Sequence, residues 1–378
     1  MDDSLDDVLR DPSNSSHDLA CSEINRLADA RVRGRLLIYV DSLAVLDLIR
    51  NSERFSNRTK SVFLAVSRAR AFKGSLVSSL KVVVRLVAGG GDVSDRMSSG
   101  RREIIVPICN VPHGFFDNPV LLAENINDAK AYLILARAAI ASGGFQLPRV
   151  QLKADVRGGG GSAIEHEYKN IKSAADKLVL SIVDSDVRYP GCVPNDWSRR
   201  MVEDDIANSS SLARTIVIDV YSIENIFPLD LHKHISSFRS DPARRFSLER
   251  DEGIWRKHVD KDHWRFVPLK RSVPCALLRG AGDGGAYWQG CAQHFNDYSS
   301  KSCTRDIYAC THGCERLPRY PEDYLVEFVK EFEKVPNDGL RDLCRSLPAS
   351  VRDMFAELSK SVVSWFCVGR PIGAVGRD

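Results

Sequence analysis

The sequence predicts an α/β protein built on a parallel sheet of about four strands flanked by helices. A basic N-terminal region precedes the sheet and a mainly helical C-terminal region follows it. Three observations carry this reading. Between residues 120 and 221, short runs of apolar and β-branched residues alternate with stretches of helical composition, in the order β-α-β-α-β-α-β. Strands separated by helices pair in parallel and are covered on both faces. Carboxylates follow the first, third and fourth strands, and a four-glycine run follows the second.

The elements follow in order. Residues 120–123 are an uninterrupted apolar run, read as a buried strand. Residues 127–141 are an alanine-rich helix, with Asn127 as its cap and Gly143-Gly144 as its stop. Residues 150–156 alternate as a strand, and 163–177 read as a helix. Residues 178–183 form a strongly apolar strand, 195–206 an amphipathic helix and 214–221 a last strand. Upstream, residues 1–22 are acidic and rich in Ser and Asn, so loose order is expected there. Residues 36–40 are a candidate strand opening a helix-compatible stretch to 52. Residues 61–87 are apolar and basic, Gly89–Gly91 interrupts them, and 92–102 read as an exposed loop. The expected division is 1–22 as a flexible terminus, 23–118 as a basic α/β region, 119–235 as the sheet domain and 236–378 as a helical region.

A chain of 378 residues accommodates two or three domains, and 43% hydrophobic content supports folded cores. No run approaches the roughly 18 apolar residues that cross a bilayer. Residues 1–7 are acidic and lack the apolar stretch of a secretory signal, so a cytoplasmic location and no membrane partner are expected. The ten cysteines are scattered, which suits buried thiols in a reducing compartment. The net charge of +3 hides an asymmetry: residues 1–30 carry two basic and eight acidic groups, and residues 31–102 carry fifteen basic and five acidic. A basic region of that kind attracts polyanions or is simply a solvated surface.

The chemistry is concentrated at the strand ends. The first strand runs into Glu124-Asn125, the third into Asp184-Ser185-Asp186 and the fourth into Glu224-Asn225. Ligands of open α/β sheets gather at the carboxyl ends of the strands. Residues i and i+2 of an extended chain face one side, so Asp184 and Asp186 can address one cation. An all-oxygen, histidine-free set suits Mg²⁺ or Mn²⁺ rather than zinc. A carboxylate after a strand is also a common turn residue, so the weight lies on the three together. The run Gly158, Gly159, Gly160, Gly161 permits close backbone approach, and its amides can meet a phosphate or merely form a linker.

Strand–Glu, Gly-rich loop, then Asp-x-Asp after the third strand resembles the TOPRIM domain of topoisomerases, primases and OLD-type nucleases. Val-Asp-Ser-Asp at 183–186 and Tyr-Ser-Ile-Glu-Asn at 221–225 resemble, more narrowly, a TOPRIM-like domain of bacterial anti-phage defence proteins, often partnered with an ABC-type ATPase. The likeness covers roughly 110 residues of the chain. It implies a metal-dependent nuclease in which Glu124 is the general acid–base or a ligand, Asp184 and Asp186 hold Mg²⁺ or Mn²⁺, and Glu224 completes the shell. Asp128 matches a polar residue common on the first helix. The family pattern has Glu-Gly where this chain has Glu124-Asn125, and an arginine where Ser185 stands, which leaves Arg188 as the phosphate contact. No Gly-x4-Gly-Lys-Ser/Thr motif occurs, so any ATP belongs to a partner. The expected partners are nucleic acid and such an ATPase, in an oligomer or complex. Other readings stay open: phosphoryl transfer of the topoisomerase or primase kind, and a catalytically inactive binding module.

Downstream, Trp255, His258, His263 and Trp264 lie among basic residues, a composition that either stacks on bases or packs a core. Cys291, His294, Cys310 and Cys314, with Cys303 and His312 nearby, form a candidate structural Zn²⁺ set, although the spacing fits no standard finger. Residues 321–332 and 340–366 read as amphipathic helices that close the fold.

Overall fold

The acidic N-terminus is helical rather than loose. In this computed structural model, which describes residues 3–143, 150–296, 298, 310, 313–345 and 347–372, it forms α1 (Asp3–Arg10) and α2 (His17–Val32). The reason is spacing: Leu5, Val8 and Leu9 lie at i, i+3 and i+4 and are buried. Each such burial is worth roughly 1.5–3 kcal/mol, which outweighs poor local propensity. α3 (Leu43–Asn51) and α4 (Asn57–Arg68) begin at Ser42 and Ser56, whose side chains accept from Val45 and Thr59 amides. α5 (Arg70–Ser79) follows. Residues 36–40, the candidate strand, run without helix or strand structure.

β1 (Val82–Val87), β2 (Ser94–Ser98) and β3 (Arg101–Pro107) form a small sheet in the order β1-β3-β2. The expected loop at 92–102 is therefore a hairpin. Ser99 and Gly100 turn it with φ of +52° and +74°, the two left-handed residues that a tight hairpin turn matching strand twist requires. Much of the basic charge of this region is spent internally. Arg85, Arg96 and Arg101 surround Glu103, and Arg54 and Arg58 face Asp18 and Asp29 of the acidic segment.

The predicted parallel sheet is present. β4 (Val120–Ala123), β6 (Asp155–Gly158), β7 (Val179–Val183) and β8 (Ala213–Val217) pair in parallel in the order β6-β4-β7-β8. Alternation sorts the two faces. Leu121, Ala123, Leu180 and Ile182 join the core beneath α6 (Ile126–Ala141). Val120, Leu122, Val179 and Val183 face α7 (Ile164–Ala174) and α8 (Asp196–Ala207) through Ile164, Tyr168 and Met201. The expected strand at 150–156 divides: β5 (Val150–Leu152) leaves the sheet and pairs antiparallel with β9 (Cys367–Gly369), and only 155–158 join β4. The last strand ends at Val217, short of Tyr221.

The C-terminal region contains α9 (Ser236–Ser240), α10 (Pro242–Trp255), α11 (Cys275–Leu278), α12 (Gly282–Cys291), α13 (Tyr324–Phe332) and α14 (Arg352–Phe366). It packs on α6, whose alanines Ala131, Ala138 and Ala139 permit close approach. Among the described residues, no helix is long and apolar enough to cross a membrane.

Candidate functional site

The β4–α6 turn is set by its caps. Asn125, not Asn127, caps α6: its Oδ1 accepts from the amides of Asn127 (2.8 Å) and Asp128 (3.1 Å). Asp128 Oδ2 returns the favour by accepting from the Asn125 amide at 3.1 Å, which closes a capping box. Asn125 stands at φ −136°, an extended conformation open to any residue, so the turn needs no glycine there. The box leaves the other Asp128 oxygen, Oδ1, buried without a hydrogen-bond partner.

The glycine run builds the wall beside this turn. A Cβ on Gly158 would stand 2.7 Å from the Ile126 nitrogen, and one on Gly159 would stand 2.4 Å from Ile164 Cβ. Gly160 and Gly161 have φ of +72° and +68°. The amides of Gly159 and Gly161 donate to the carbonyls of Ala123 (2.8 Å) and Glu124 (3.0 Å). These two amides, assigned to phosphate from the sequence, are spent on the turn itself.

After β7 the chain carries Asp184 inward. Its Oδ1 accepts from the Ile223 amide at 3.2 Å and from the Tyr132 hydroxyl at 3.4 Å. Its amide donates to Glu124 Oε1 at 3.3 Å, and its carbonyl accepts from Ser198 Oγ at 2.8 Å. Ser185 Oγ donates to the Val220 carbonyl at 2.6 Å and joins the loop to the segment that follows β8. Asp186 does not continue an extended chain. It sits at φ +53°, and its carboxylate accepts from Asn195 Nδ2 at 3.1 Å. The i, i+2 alternation that would aim Asp184 and Asp186 alike is thus broken, although the Asp186 charge still acts on Glu124. Arg188 is exposed, and its charge acts on Tyr221 at the rim.

Glu224 lies in a one-turn helix, Ile223–Ile226, with 1% of its surface exposed. Its Oε1 stands 2.9 Å from Lys270 Nζ, while Oε2 is buried with no hydrogen-bond partner. The Lys270 stem lies at the surface and its amine reaches inward. Asn225 ties this turn down: Nδ2 donates to the carbonyls of Trp264 (2.7 Å) and Val267 (3.0 Å).

Glu124, Asp128, Asp184 and Glu224 therefore share one electrostatic site, with Lys270 as its cation. Burial, then the charges of Asp128 and Asp186, push the Glu124 carboxyl up to about 7. Burial raises Asp128 to about 6, against the pull of Lys270. Burial and the neighbouring Glu224 hold Asp184 well above the ordinary carboxylate range. At Lys270, burial works downward, but Glu224 and Asp184 outweigh it and keep the amine firmly protonated.

As the side chains stand, no three acidic, His or Cys groups among the described residues converge to hold one metal ion. The donor set nevertheless fits a hard divalent cation. It is all oxygen, and Asp128 Oδ1 and Glu224 Oε2 are buried acceptors with no hydrogen-bond partner among the described residues. Tyr132 and Lys270 escaped the sequence reading. Tyr132 falls four residues after Asp128 and eight after Glu124, a helical stripe that the sequence does show. Lys270 has no local signal.

The other candidates separate from this site. Trp255, His258, His263 and Trp264 are buried, so they pack a core and are closed to stacking on bases. Cys310 and Cys314 are buried and Cys291 is half-buried, but with His294 they do not form a metal group among the described residues. Cys303 and His312 lie outside the described residues. The chain matches no family model, no curated protein and no solved structure.

Proposed function

We propose that this protein cleaves phosphodiester bonds in nucleic acid with the help of a divalent cation. One observation carries the reading: carboxylates from the β4–α6 turn, the end of β7 and the turn beyond β8 share one site at the carboxyl edge of a parallel sheet, with Asp184 and Glu224 buried and Glu124 half-buried. Asp184, Glu224 and Asp128 would hold Mg²⁺ or Mn²⁺, with Glu124 as a ligand or a base. Such an ion supplies charge neutralisation of the phosphate and a more acidic water. In the metal-free site burial lifts the Glu124 carboxyl to about 7, and a carboxyl in that range takes and returns a proton at neutral pH. Lys270 places a fixed positive charge beside the same carboxylates, where a phosphate oxygen can meet it. A role in anti-phage defence and an ABC-type ATPase partner rest on the motif resemblance alone.

The test compares wild type with Asp184→Asn and Glu224→Gln on plasmid DNA, single-stranded DNA and total tRNA, with Mg²⁺, Mn²⁺ or EDTA. Metal-dependent cleavage that falls at least about a hundredfold in both variants is expected. Cleavage that persists in EDTA, or in both variants, refutes the proposal.

A second reading has its own observation. Lys270 already balances Glu224 from inside the chain, as in a structural ion-pair network. A binding module with no catalysis is then expected to show no Mg²⁺ or Mn²⁺ uptake by calorimetry.

A further inference from the structure

Residues 36–40, Leu-Leu-Ile-Tyr-Val, have the composition of a strand but join no ladder among the described residues. They run without turn or bend beside a cavity of about 470 Å³, whose other wall is β1. Val82, Val83, Val84, Arg85 and Leu86 all line that cavity, and so do residues 36–39. Neighbouring strand residues point to opposite faces, so a cavity touched by an unbroken run lies along the strand's edge. That edge of β1 is open. In the parallel ladder with β3 the Arg102 amide donates to the Lys81 carbonyl at 2.8 Å, which fixes the alternation. Val83 and Arg85 turn their backbone groups to β3, and Val82, Val84 and Leu86 turn theirs outward. On the opposite wall the Leu36 carbonyl accepts from the Gly369 amide at 3.3 Å, so Leu37 and Tyr39 turn their backbone groups away from β9. Among the described residues, none of these outward groups has a hydrogen-bond partner.

We propose that this slot binds one extended peptide segment of a partner protein, which adds as a strand to β1 and to residues 37–39 opposite. Two walls of unmet donors and acceptors call for a ligand that carries both along its two edges, and an extended backbone does so at the strand repeat. A second copy of this chain cannot bring a whole sheet edge to β1, because residues 36–39 form the facing wall. A single segment fits between them. Charge agrees with a neutral segment. Arg35 is paired with Asp117, Arg85 lies 3.6 Å from both Asp41 and Glu103, and Arg101 reaches Glu103 at 3.0 Å. Leu80, Phe115 and Trp365 line the same cavity, so the segment carries apolar side chains. The bound strand links the sheet β1-β3-β2 to residues 36–40 and, through Leu36, to β9. The slot shares no residue with the acidic centre and stands whether or not the chain cleaves nucleic acid.

The probe is the capped peptide acetyl-Gln-Val-Thr-Val-Thr-Val-Gln-amide, titrated calorimetrically into the full chain. The control is the same peptide with its three valine nitrogens methylated, which strips the donors from one edge and keeps every side chain. Wild type is expected to take one peptide per chain and to bind the methylated form at least about tenfold more weakly. Hydrogen exchange at the amides of Val84, Leu37 and Tyr39 should slow at least about tenfold on binding. Val84→Pro removes one outward donor and leaves the β3 ladder whole, so it should weaken the peptide about tenfold without moving the urea midpoint. Absence of peptide binding overturns the proposal, as does equal affinity for the methylated form. So does exchange at Val84 in the free chain as slow as at Val83 and Arg85, since the edge would then be closed already. If Val84→Pro does not fold, the methylated peptide and the exchange rates decide.

Discussion

Asn225 and Trp264 hold each other by reciprocal bonds: Asn225 Nδ2 donates to the Trp264 carbonyl at 2.7 Å, and Trp264 Nε1 donates to the Asn225 carbonyl at 3.2 Å. Both residues are fully buried. The pair fastens the turn that carries Glu224 to the segment that leads to Lys270, so it brings the anion and its cation together.

Asn225→Ala is expected to cost about 1–3 kcal/mol, because it leaves the Ser222 amide unmet in the core and takes the side-chain donor from the Trp264 and Val267 carbonyls, which keep only a backbone donor each. Asn225→Asp should cost more, since a carboxylate would face the same two carbonyls. Urea unfolding measures both. A loss under about 1 kcal/mol for either variant contradicts this role.

Lys270→Met removes a cation that faces Glu224 and Asp184. The lysine is half exposed, so solvent screening trims the effect to about 1–2 kcal/mol in EDTA. Mn²⁺ is expected to restore more stability to the variant than it adds to wild type. Unchanged unfolding in EDTA would show that the lysine is not the counter-charge.

The glycine run is a packing requirement before it is anything else. Gly159→Ala places a methyl group 2.4 Å from Ile164 Cβ and should cost about 3 kcal/mol. Gly161→Ala meets no neighbouring atom but keeps a φ of +68°, so its cost should be nearer 1 kcal/mol. Equal midpoints for the two variants would refute the close-approach argument.

His263 makes folding sensitive to acid. Burial first, then the charges of His258 and His294, press its imidazole from 6.5 down to about 3. The unfolded chain therefore binds a proton that the folded chain refuses. This contribution is complete above pH 6.5 and is lost as pH falls toward 3, at up to about 1.4 kcal/mol per pH unit. Urea midpoints between about pH 7 and about pH 4 should fall less steeply for His263→Phe than for wild type. Parallel curves would remove His263 as the cause.

The sequence alone determined what depends on neighbours along the chain. Unbroken apolar runs at 120–123 and 178–183 announced buried strands, and the helical stretches between them required parallel pairing. Although Glu224 lies in a one-turn helix beyond the end of β8 at Val217, the places of Glu124 and Asp184 at strand ends followed directly. So did the glycines at 158–161, though not the clash at Ile164 that requires one of them. Tertiary structure decided the rest. Residues 1–22 look like a loose acidic tail until Leu5, Val8 and Leu9 find a core supplied by later helices. Residues 150–152 have strand composition, but β9, from the far end of the chain, takes them out of the main sheet. Asp186 leaves the alternation because Asn195 and the Tyr221 carbonyl capture it. Lys270 enters the acidic site only because Asn225 binds the 264–267 segment. Local propensity and spacing report the short-range energies of a chain. Which buried charge meets which, and which edge a short strand joins, are settled by contacts between residues far apart in sequence.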